Sequence, residues 1–318
     1  MAAQGSKKVI YAALAGNSLI AITKFTAATF TGSSAMFSEA IHSSVDTGNQ
    51  ALLLYGMRRA ERPSDARHPF GYSKEIYFWA FVVAILIFAV GAGVSFYEGV
   101  EKTLHPHPVS DVYINYLVLC AAILFEGAAW YIAFKEFKRG VGRRSMLRAL
   151  LHSKDPSIFT VLLEDTAAML GLIVALIGIF LADYLNMPVL DGVASMTIGV
   201  VLALAAVVLA YETKGLLIGE SADEDIVAAI RTKLGGIKEI TGINEILTMH
   251  MGPADVLVNI SIDFANTVTA DQIEGTISEL ESQIKADHTE IKRIFIEIQS
   301  RQGHARNLQA AEPEQLKE

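Results

Sequence analysis

The stretch Ala40-Ile41-His42-Ser43-Ser44-Val45-Asp46 places two ionisable side chains, His42 and Asp46, inside a largely apolar segment. Ionisable side chains within membrane helices are costly and by default functional. Because His42 and Asp46 are four residues apart, they lie on one face of a helix. An imidazole nitrogen and carboxylate oxygens are suitable ligands for a divalent metal, most simply Zn²⁺. The stretch therefore predicts a membrane helix that contributes two ligands to a metal site.

The composition supports a membrane protein. Of the 318 residues, 52% are hydrophobic, and the mean hydropathy is +0.38, which is too apolar for an ordinary soluble domain. A membrane-spanning helix needs about 20 mostly apolar residues. Six segments meet this need, so we expect six transmembrane helices. They cover residues 9–30, 35–55, 76–97, 112–134, 170–182 with the turns before it, and 192–211.

The charge of the chain divides it into parts. Residues 1–218 have a net charge of +1, whereas residues 219–300 have a net charge of −9. We therefore expect a transmembrane domain at 1–217 and a globular domain at 218–300. The polar tail, residues 301–318, is expected to be disordered.

Basic residues favour one orientation in the membrane. They lie before the first predicted helix, after the second and between the fourth and fifth, where seven are found. The opposite connections carry almost none. Because basic loops stay on the cytoplasmic side, both termini and the acidic domain are predicted to be cytoplasmic. We expect a multi-pass protein of a bacterial inner membrane. The basic residues concerned are Lys7, Lys8, Arg58, Arg59, Arg62, Arg67, Lys135, Lys138, Arg139, Arg143, Arg144, Arg148 and Lys154.

The acidic domain shows the periodicities of a small α+β fold. Apolar residues recur at helical spacing over 226–234 and 273–284, and they alternate or cluster as in strands over 246–251, 256–264 and 294–298. The order helix–strand–strand–helix–strand predicts a ferredoxin-like α+β sandwich. The sequence contains no phosphate-binding loop, no CxxC pair and no nucleophile motif, so we expect neither an ATP-driven pump nor an enzyme.

Three segments resemble the cation diffusion facilitator family. They are TGSSAMFSEAIHSSVD at 31–46, RHPFGYSK at 67–74 and EDTAAMLG at 164–171. The likeness is closest to the branch that includes the mitochondrial-type zinc transporters. It implies a homodimeric exporter with six membrane helices and a cytoplasmic domain related to metallochaperones.

The resemblance also implies a set of metal ligands. His42 and Asp46 correspond to the ligands of the second helix, and Asp165 to the second ligand of the fifth helix. The first ligand of that helix should lie four residues earlier, where this chain has Val161, which cannot coordinate a metal.

Two side chains are candidates to complete the site. Asn49 lies three residues beyond Asp46 on the same helix face. Glu164 is next to Asp165, about 100° around the helix. Glu164 could also carry protons or pair with Lys24.

Other polar residues in the predicted spans have alternative roles. Glu126, in the fourth helix, matches an acid of the zinc-transporter branch and is a candidate for the proton pathway or for helix pairing. Glu39 could attract cations or pair with Lys24. In the loop after the second helix, Asp65 and His68 match a secondary metal site of the family, but its second histidine is replaced by Tyr72.

These features predict a secondary transporter that exports a divalent cation in exchange for protons. Zn²⁺ is the favoured cation, with Mn²⁺ or Fe²⁺ as the alternative and Co²⁺ also compatible with imidazole. The other partners expected are membrane lipid and a second copy of the chain, without nucleic acid. The rival hypothesis is a membrane scaffold that transports nothing.

Overall fold

The computed structural model describes residues 2–141 and 154–311. Much of the basic connection predicted before the fifth membrane helix, including Arg143, Arg144 and Arg148, lies outside these residues, as does the end of the predicted tail from residue 312. The chain separates into two compact units, residues 1–214 and 215–318. The division falls close to the predicted boundary after residue 217.

The first unit is helical. Three consecutive segments, α3, a π-helical stretch at Ile87–Ala92, and α4, form one continuous helical rod. The α-helices are α1 (Ala2–Thr31), α2 (Ser34–Ala60), α3 (Glu75–Leu86), α4 (Gly93–Leu104), α5 (Val112–Val141), α6 (Pro156–Tyr184) and α7 (Val189–Ile218).

Four helical segments in the described part of the chain are long and apolar enough to cross a membrane. They are Glu75–Leu104, Val112–Tyr131, Phe159–Tyr184 and Val189–Ile218. The protein is therefore an integral membrane protein. Four of the six predicted spans thus meet this criterion of length and hydropathy. Helices α1 and α2, the other two predicted spans, do not.

Helix α2 begins at a defined cap and lies in the middle of the unit. The Ser33 side chain accepts a hydrogen bond from the N–H of Met36 (3.1 Å). Gly32 has a positive φ of 65°, which lets the chain turn sharply after α1. Helix α2 packs against α1, α3, α4 and α6. Several of its polar residues, including Glu39, His42 and Asn49, are therefore enclosed by other helices.

The second unit contains a small mixed sheet. Strand β2 lies in its centre, antiparallel to β1 and parallel to β3, and α9 is the crossover between the two parallel strands. The elements are α8 (Glu224–Gly235), β1 (Ile240–Gly252), β2 (Asp255–Phe264), α9 (Ala270–Asp287), β3 (Ile291–Ile298) and α10 (Arg301–Ala311). The order of the first five elements agrees with the predicted order.

The core of this unit lies on one face of β2. Val256, Val258, Ile260 and Ile262 alternate along the strand and are fully buried. They pack against the apolar faces of α8 and α9, which include Ile230 and Ile284. The alternation found in the sequence thus corresponds to a half-buried strand.

Residues 301–311 differ from the sequence prediction, because they form α10 instead of a disordered segment. The helix is fixed at its start, where the Arg301 N–H donates a hydrogen bond to Oδ2 of Asp263 (3.0 Å). His304 also contacts Gln299, with 3.1 Å between Nδ1 and Oε1. The segment is polar, but its Ala, Gln, Arg and Leu residues favour a helix once its first turn is anchored.

Candidate functional site

One face of α2 carries a buried polar stripe. It consists of Glu39, His42, Asp46 and Asn49, at intervals of three or four residues, and of Gln50, four residues after Asp46. Glu39, His42 and Asn49 are buried, and Asp46 and Gln50 are half-buried. The exposed fraction is 0% for Glu39 and Asn49 and 1% for His42. A run of polar side chains this deeply buried must find partners within the protein or bind a ligand.

His42 and Asp46 form the centre of the stripe. The distance from Nδ1 of His42 to Oδ1 of Asp46 is 3.3 Å. Within the described residues, neither ring nitrogen of His42 makes a hydrogen bond, and neither does Oδ1 of Asp46. A buried polar group without a partner costs about 1–3 kcal/mol. These atoms are therefore available as ligands.

Helix α6 contributes Glu164 to the site. The Asn49 amide donates a hydrogen bond to Oε1 of Glu164 (2.6 Å). The carboxyl groups of Asp46 and Glu164 are also within hydrogen-bonding range of each other. Of the two neighbouring acids, Glu164 contacts α2 directly, whereas Asp165 is half-buried and interacts with Asp46 and Glu126 through its charge.

Thr160 was not found by the sequence analysis. Its side chain is fully buried, and its hydroxyl has no hydrogen-bond partner in the part of the chain that the structure describes. Thr160 lies four residues before Glu164, so the two share a helix face. The sequence analysis considered Val161 and Asp165, which lie on the adjacent face of the helix. The same spacing of four residues relates Thr160 to Glu164 and could have identified Thr160 as a further polar residue near the site.

Gln50 was also missed. It lies four residues after Asp46, and its Oε1 atom has no partner among the described residues. The same spacing that identified His42 and Asp46 could have extended the stripe to Gln50.

The acidic and imidazole groups are near one another, but they do not form a complete metal-binding cluster among the described residues. No group of three or more His, Cys, Asp or Glu side chains within residues 2–141 and 154–311 lies close enough to hold a metal ion. Two pairs are present instead, His42 with Asp46 and Asn49 with Glu164. A cation bound by both pairs would require side-chain rotation or a shift between α2 and α6.

A buried cluster around Lys24 adjoins the stripe. The Lys24 ammonium group donates hydrogen bonds to Oε2 of Glu39 (3.1 Å), Oγ of Ser43 (2.8 Å) and Oε1 of Glu126 (2.9 Å). Glu39 thus pairs with Lys24, as one of the two alternatives from the sequence proposed. Glu126 has the same partner, whereas Glu164 contacts Asn49 and Asp46.

Helices α2 and α6 approach closely beside this cluster. A Cβ atom at Gly171 would collide with Oε1 of Glu39. This oxygen is buried and has no hydrogen-bond partner among the described residues. Glycine at this position therefore gives the second carboxylate oxygen of Glu39 its space.

A second buried cluster joins α2 to α7. Oδ1 of Asp191 accepts a hydrogen bond from the hydroxyl of Ser33 (2.7 Å), and Oδ2 accepts one from the N–H of Ser34 (2.8 Å). Lys102 lies 3.8 Å from Asp191 and donates to the carbonyl of Gly32 (2.8 Å). Asp191 thus caps the N-terminus of α2, where a negative charge is favourable.

The loop between α2 and α3 brings Asp65 and His68 together. Oδ2 of Asp65 accepts a hydrogen bond from the Tyr72 hydroxyl (2.6 Å), and Oδ1 accepts from the backbone N–H of Arg67 and of His68. The Tyr72 hydrogen bond, followed by those from the backbone, lowers the pKa of Asp65 to about 2. The nearest His68 nitrogen is 3.5 Å from Asp65. Both oxygens of Asp65 are engaged in the loop itself.

A family model of the cation efflux transmembrane domain matches residues 10–218. The chain belongs to this family of membrane transport proteins, and the resemblance to the cation diffusion facilitators is confirmed. The family is defined by transport and not by an enzymatic reaction.

Individual relatives place the chain near zinc transporters. It is 33% identical over 267 residues to the mitochondrial proton-coupled zinc antiporter SLC30A9 of Homo sapiens, covering 83% of this chain and 47% of that protein. It is 29% identical to metal tolerance protein C4 of Arabidopsis thaliana, covering 82% and 58%. The chain thus spans about half the length of these two relatives.

A bacterial relative covers more of its own length. Magnetosome protein MamM of Magnetospirillum gryphiswaldense is 26% identical over 275 residues, which are 83% of this chain and 79% of that protein. The predicted closeness to the branch of mitochondrial-type zinc transporters is confirmed by the first two relatives.

Proposed function

We propose that the protein exports a divalent metal cation in exchange for protons. The observation that carries this proposal is the His42 imidazole, fully buried in a cation efflux domain, with two ring nitrogens that make no hydrogen bond among the described residues. A neutral imidazole beside the Asp46 carboxylate is a pair of metal ligands. In a structural helix contact, polar side chains bond across to neighbouring helices, whereas His42 makes no hydrogen bond to another helix among the described residues.

The proposed ligands come from two helices. His42 and Asp46 on α2 would be joined by Glu164 and by the amide oxygen of Asn49, which makes no hydrogen bond among the described residues while the NH₂ group of Asn49 donates to Glu164. Asp165 would enter by rotation of α6 or its side chain, as the resemblance implies. This arrangement suits a transport site, which must assemble and disassemble during a cycle of alternating access.

Zn²⁺ is the cation proposed. Imidazole with carboxylates is a zinc-binding set, and the human relative is named a zinc antiporter. A site with a single imidazole and several oxygens also fits Mn²⁺ or Fe²⁺, and Co²⁺ to a lesser degree.

The proton coupling follows from the ligands. They bind metal in their deprotonated forms, so metal loading and protonation compete. We propose Glu126 as an additional proton carrier. Its charge interacts with that of Asp165, and its side chain is 18% exposed.

The remaining architecture is also proposed. Helices α1 and α2 would be the first two of six spans, because neighbouring helices enclose the polar face of α2 and keep it from lipid. The basic residues support cytoplasmic termini and contacts with lipid head groups, and the membrane proposed is the inner membrane of a bacterium. The hairpin followed by a parallel crossover supports a ferredoxin-like cytoplasmic domain at 218–300, which would join two protomers.

A secondary metal site at Asp65 and His68 is a weaker proposal. The two side chains are adjacent, but metal binding there would have to displace the hydrogen bond from Tyr72. A test is Tyr72→His, which should increase metal binding at the loop by adding a ligand and freeing Asp65.

Transport by purified protein in vesicles tests the main proposal. A zinc indicator and a pH indicator inside the vesicles should report metal uptake and opposite proton movement. The matched control is His105→Ala, at an exposed loop histidine, which should behave like the wild type. Absence of uptake for Zn²⁺, Mn²⁺, Fe²⁺ and Co²⁺ would favour the scaffold, and uptake without a proton signal would exclude antiport.

A further inference from the structure

Lys24 is an unusual residue for a membrane helix because its side chain is entirely buried. Lysine is almost never fully buried unless it is paired. Each of its three ammonium hydrogens has an acceptor within 3.1 Å, on Glu39, Ser43 and Glu126. The ammonium group is therefore held in one position by residues of α2 and α5.

The two carboxylates bound by Lys24 adjoin the candidate ligands. Glu39 lies three residues before His42, one turn away on the same face of α2. Glu126 interacts through its charge with Asp46 and Asp165. Both acids are thus close to the proposed cation, but each directs at least one oxygen to Lys24.

The number of carboxylates at a site affects which cation it accepts. Mn²⁺ suits oxygen-rich sites with six ligands, whereas Zn²⁺ is satisfied by four ligands that include imidazole. If Glu39 and Glu126 were free to turn toward the cation, a site with one histidine would gain two hard ligands. Instead, the positive charge of the Lys24 ammonium group binds these two carboxylates.

We propose that Lys24 is a specificity-determining residue that holds Glu39 and Glu126 away from the transported cation and thereby favours Zn²⁺ over Mn²⁺. This inference rests on the proposed transport function. Lys24 does not touch the cation. It acts by positioning two acids, so its removal should alter the ratio of the two metals and not merely lower all transport.

The free oxygen of Glu39 supports this role. Oε1 of Glu39 is buried beside Gly171 and lacks a hydrogen-bond partner among the residues that the structure describes. A purely structural ion pair would satisfy both oxygens. Here one oxygen is bound by Lys24, and the other makes no hydrogen bond among the described residues, so it would be free to bind the cation if the Glu39 side chain turned toward it.

The test is the ratio of Mn²⁺ to Zn²⁺ binding and uptake in Lys24→Met, with Lys24→Arg as the matched control. Binding is measured by calorimetry in detergent and uptake in vesicles. Lys24→Met should raise the Mn²⁺/Zn²⁺ ratio by about tenfold, the usual size of an effect that acts through a residue next to the ligands. Lys24→Arg keeps the cation and should keep the wild-type ratio.

A second variant guards against misfolding. Lys24→Met with Glu126→Gln removes one charge of each sign and keeps the net charge of the cluster, while releasing Glu39 alone. It should shift the ratio in the same direction by a smaller factor. A wild-type ratio in whichever of these two variants folds would overturn the proposal.

The outcomes also separate this inference from the proposed function. If the wild-type protein transports no metal, the function fails, and the ratio of affinities measured by calorimetry still tests Lys24. If the wild type transports Zn²⁺ and both variants lower the uptake of both metals equally, the function stands and Lys24 is only structural.

Discussion

Lys24 and Lys102 are both fully buried lysines of the helical unit, but their surroundings differ. Around Lys102, Asp191 is bound through both oxygens to the start of α2. Around Lys24, Oε1 of Glu39 and both nitrogens of the nearby His42 lack partners among the described residues. The charged groups of the first region all have hydrogen-bond partners, whereas several polar atoms of the second make no hydrogen bond among the described residues.

The difference supports the proposal that the first region stabilises the fold and the second binds the cation. Buried polar groups normally have partners, and each exception needs an explanation. In the region of Asp191, every charged group contributes to fixing the end of α2. In the region of His42, several groups stay available at a cost in stability, as expected of a site that binds and releases a ligand.

The largest expected effect on stability is at Asp191. Asp191→Ala leaves the buried Lys102 ammonium without its carboxylate and removes the cap of α2. Breaking a buried ion pair by removing one partner costs about 3–5 kcal/mol. Unfolding in detergent should show this loss, with Asp111→Ala, an exposed acid of the next loop, as the control. If Asp191→Ala lowered the free energy of unfolding no more than Asp111→Ala does, the proposed contrast between the two regions would be wrong.

The next effect sharpens the assignment of α6. Glu164→Gln keeps a carbonyl oxygen that can accept the hydrogen bond from Asn49, but it removes a charge from the site. Zn²⁺ affinity should fall by about tenfold or more. The matched variant Asp165→Asn should cost less in this conformation, because Asp165 makes no direct contact with α2 among those the structure describes. The opposite ranking would show that α6 rotates before the cation binds.

Much of the candidate site was predictable because it depends on local spacing. His42 and Asp46 share a face in any α-helix, and Asn49 lies on the same face. The strands and helices of 226–298 were predictable for the same reason, since alternation and helical periodicity are properties of short segments.

The remainder depends on contacts between distant segments. Neighbouring acids such as Glu164 and Asp165 point about 100° apart, and periodicity alone does not fix which of them faces α2. Lys24 and Glu126 are 102 positions apart in the chain. The helix after Arg301 depends on an anchor at Asp263. These features follow from packing, which a single sequence does not specify.

A smaller effect concerns Thr160. Thr160→Val replaces the hydroxyl by a methyl group of similar size. If the hydroxyl has no partner, the free energy of unfolding should be unchanged or rise by up to about 1 kcal/mol. Zn²⁺ affinity should fall if the hydroxyl faces the cation. A clear loss of stability together with unchanged affinity would mean that Thr160 has a structural partner.

The smallest effect is a titration in the α2–α3 loop. The hydrogen bond from Tyr72 lowers the pKa of Asp65 to about 2, below the ordinary value of about 3.9. Because the pKa is lower in the folded protein, ionised Asp65 stabilises the loop at pH values above its unfolded pKa. This stabilisation is lost as the pH falls through about 2. Carboxyl NMR should therefore show Asp65 ionised at pH 4. Tyr72→Phe should raise its pKa, and an unchanged midpoint would contradict the role of Tyr72.

The most direct test measures stability and metal binding on the same variant, His42→Ala. The imidazole makes no hydrogen bond among the described residues, so its removal should cost only what the cavity left in a buried site costs, about 2–5 kcal/mol of unfolding free energy. Zn²⁺ binding by calorimetry should be lost, whereas His105→Ala should retain it. A folded His42→Ala protein that binds Zn²⁺ with wild-type affinity would show that His42 is only a structural residue and would contradict the account.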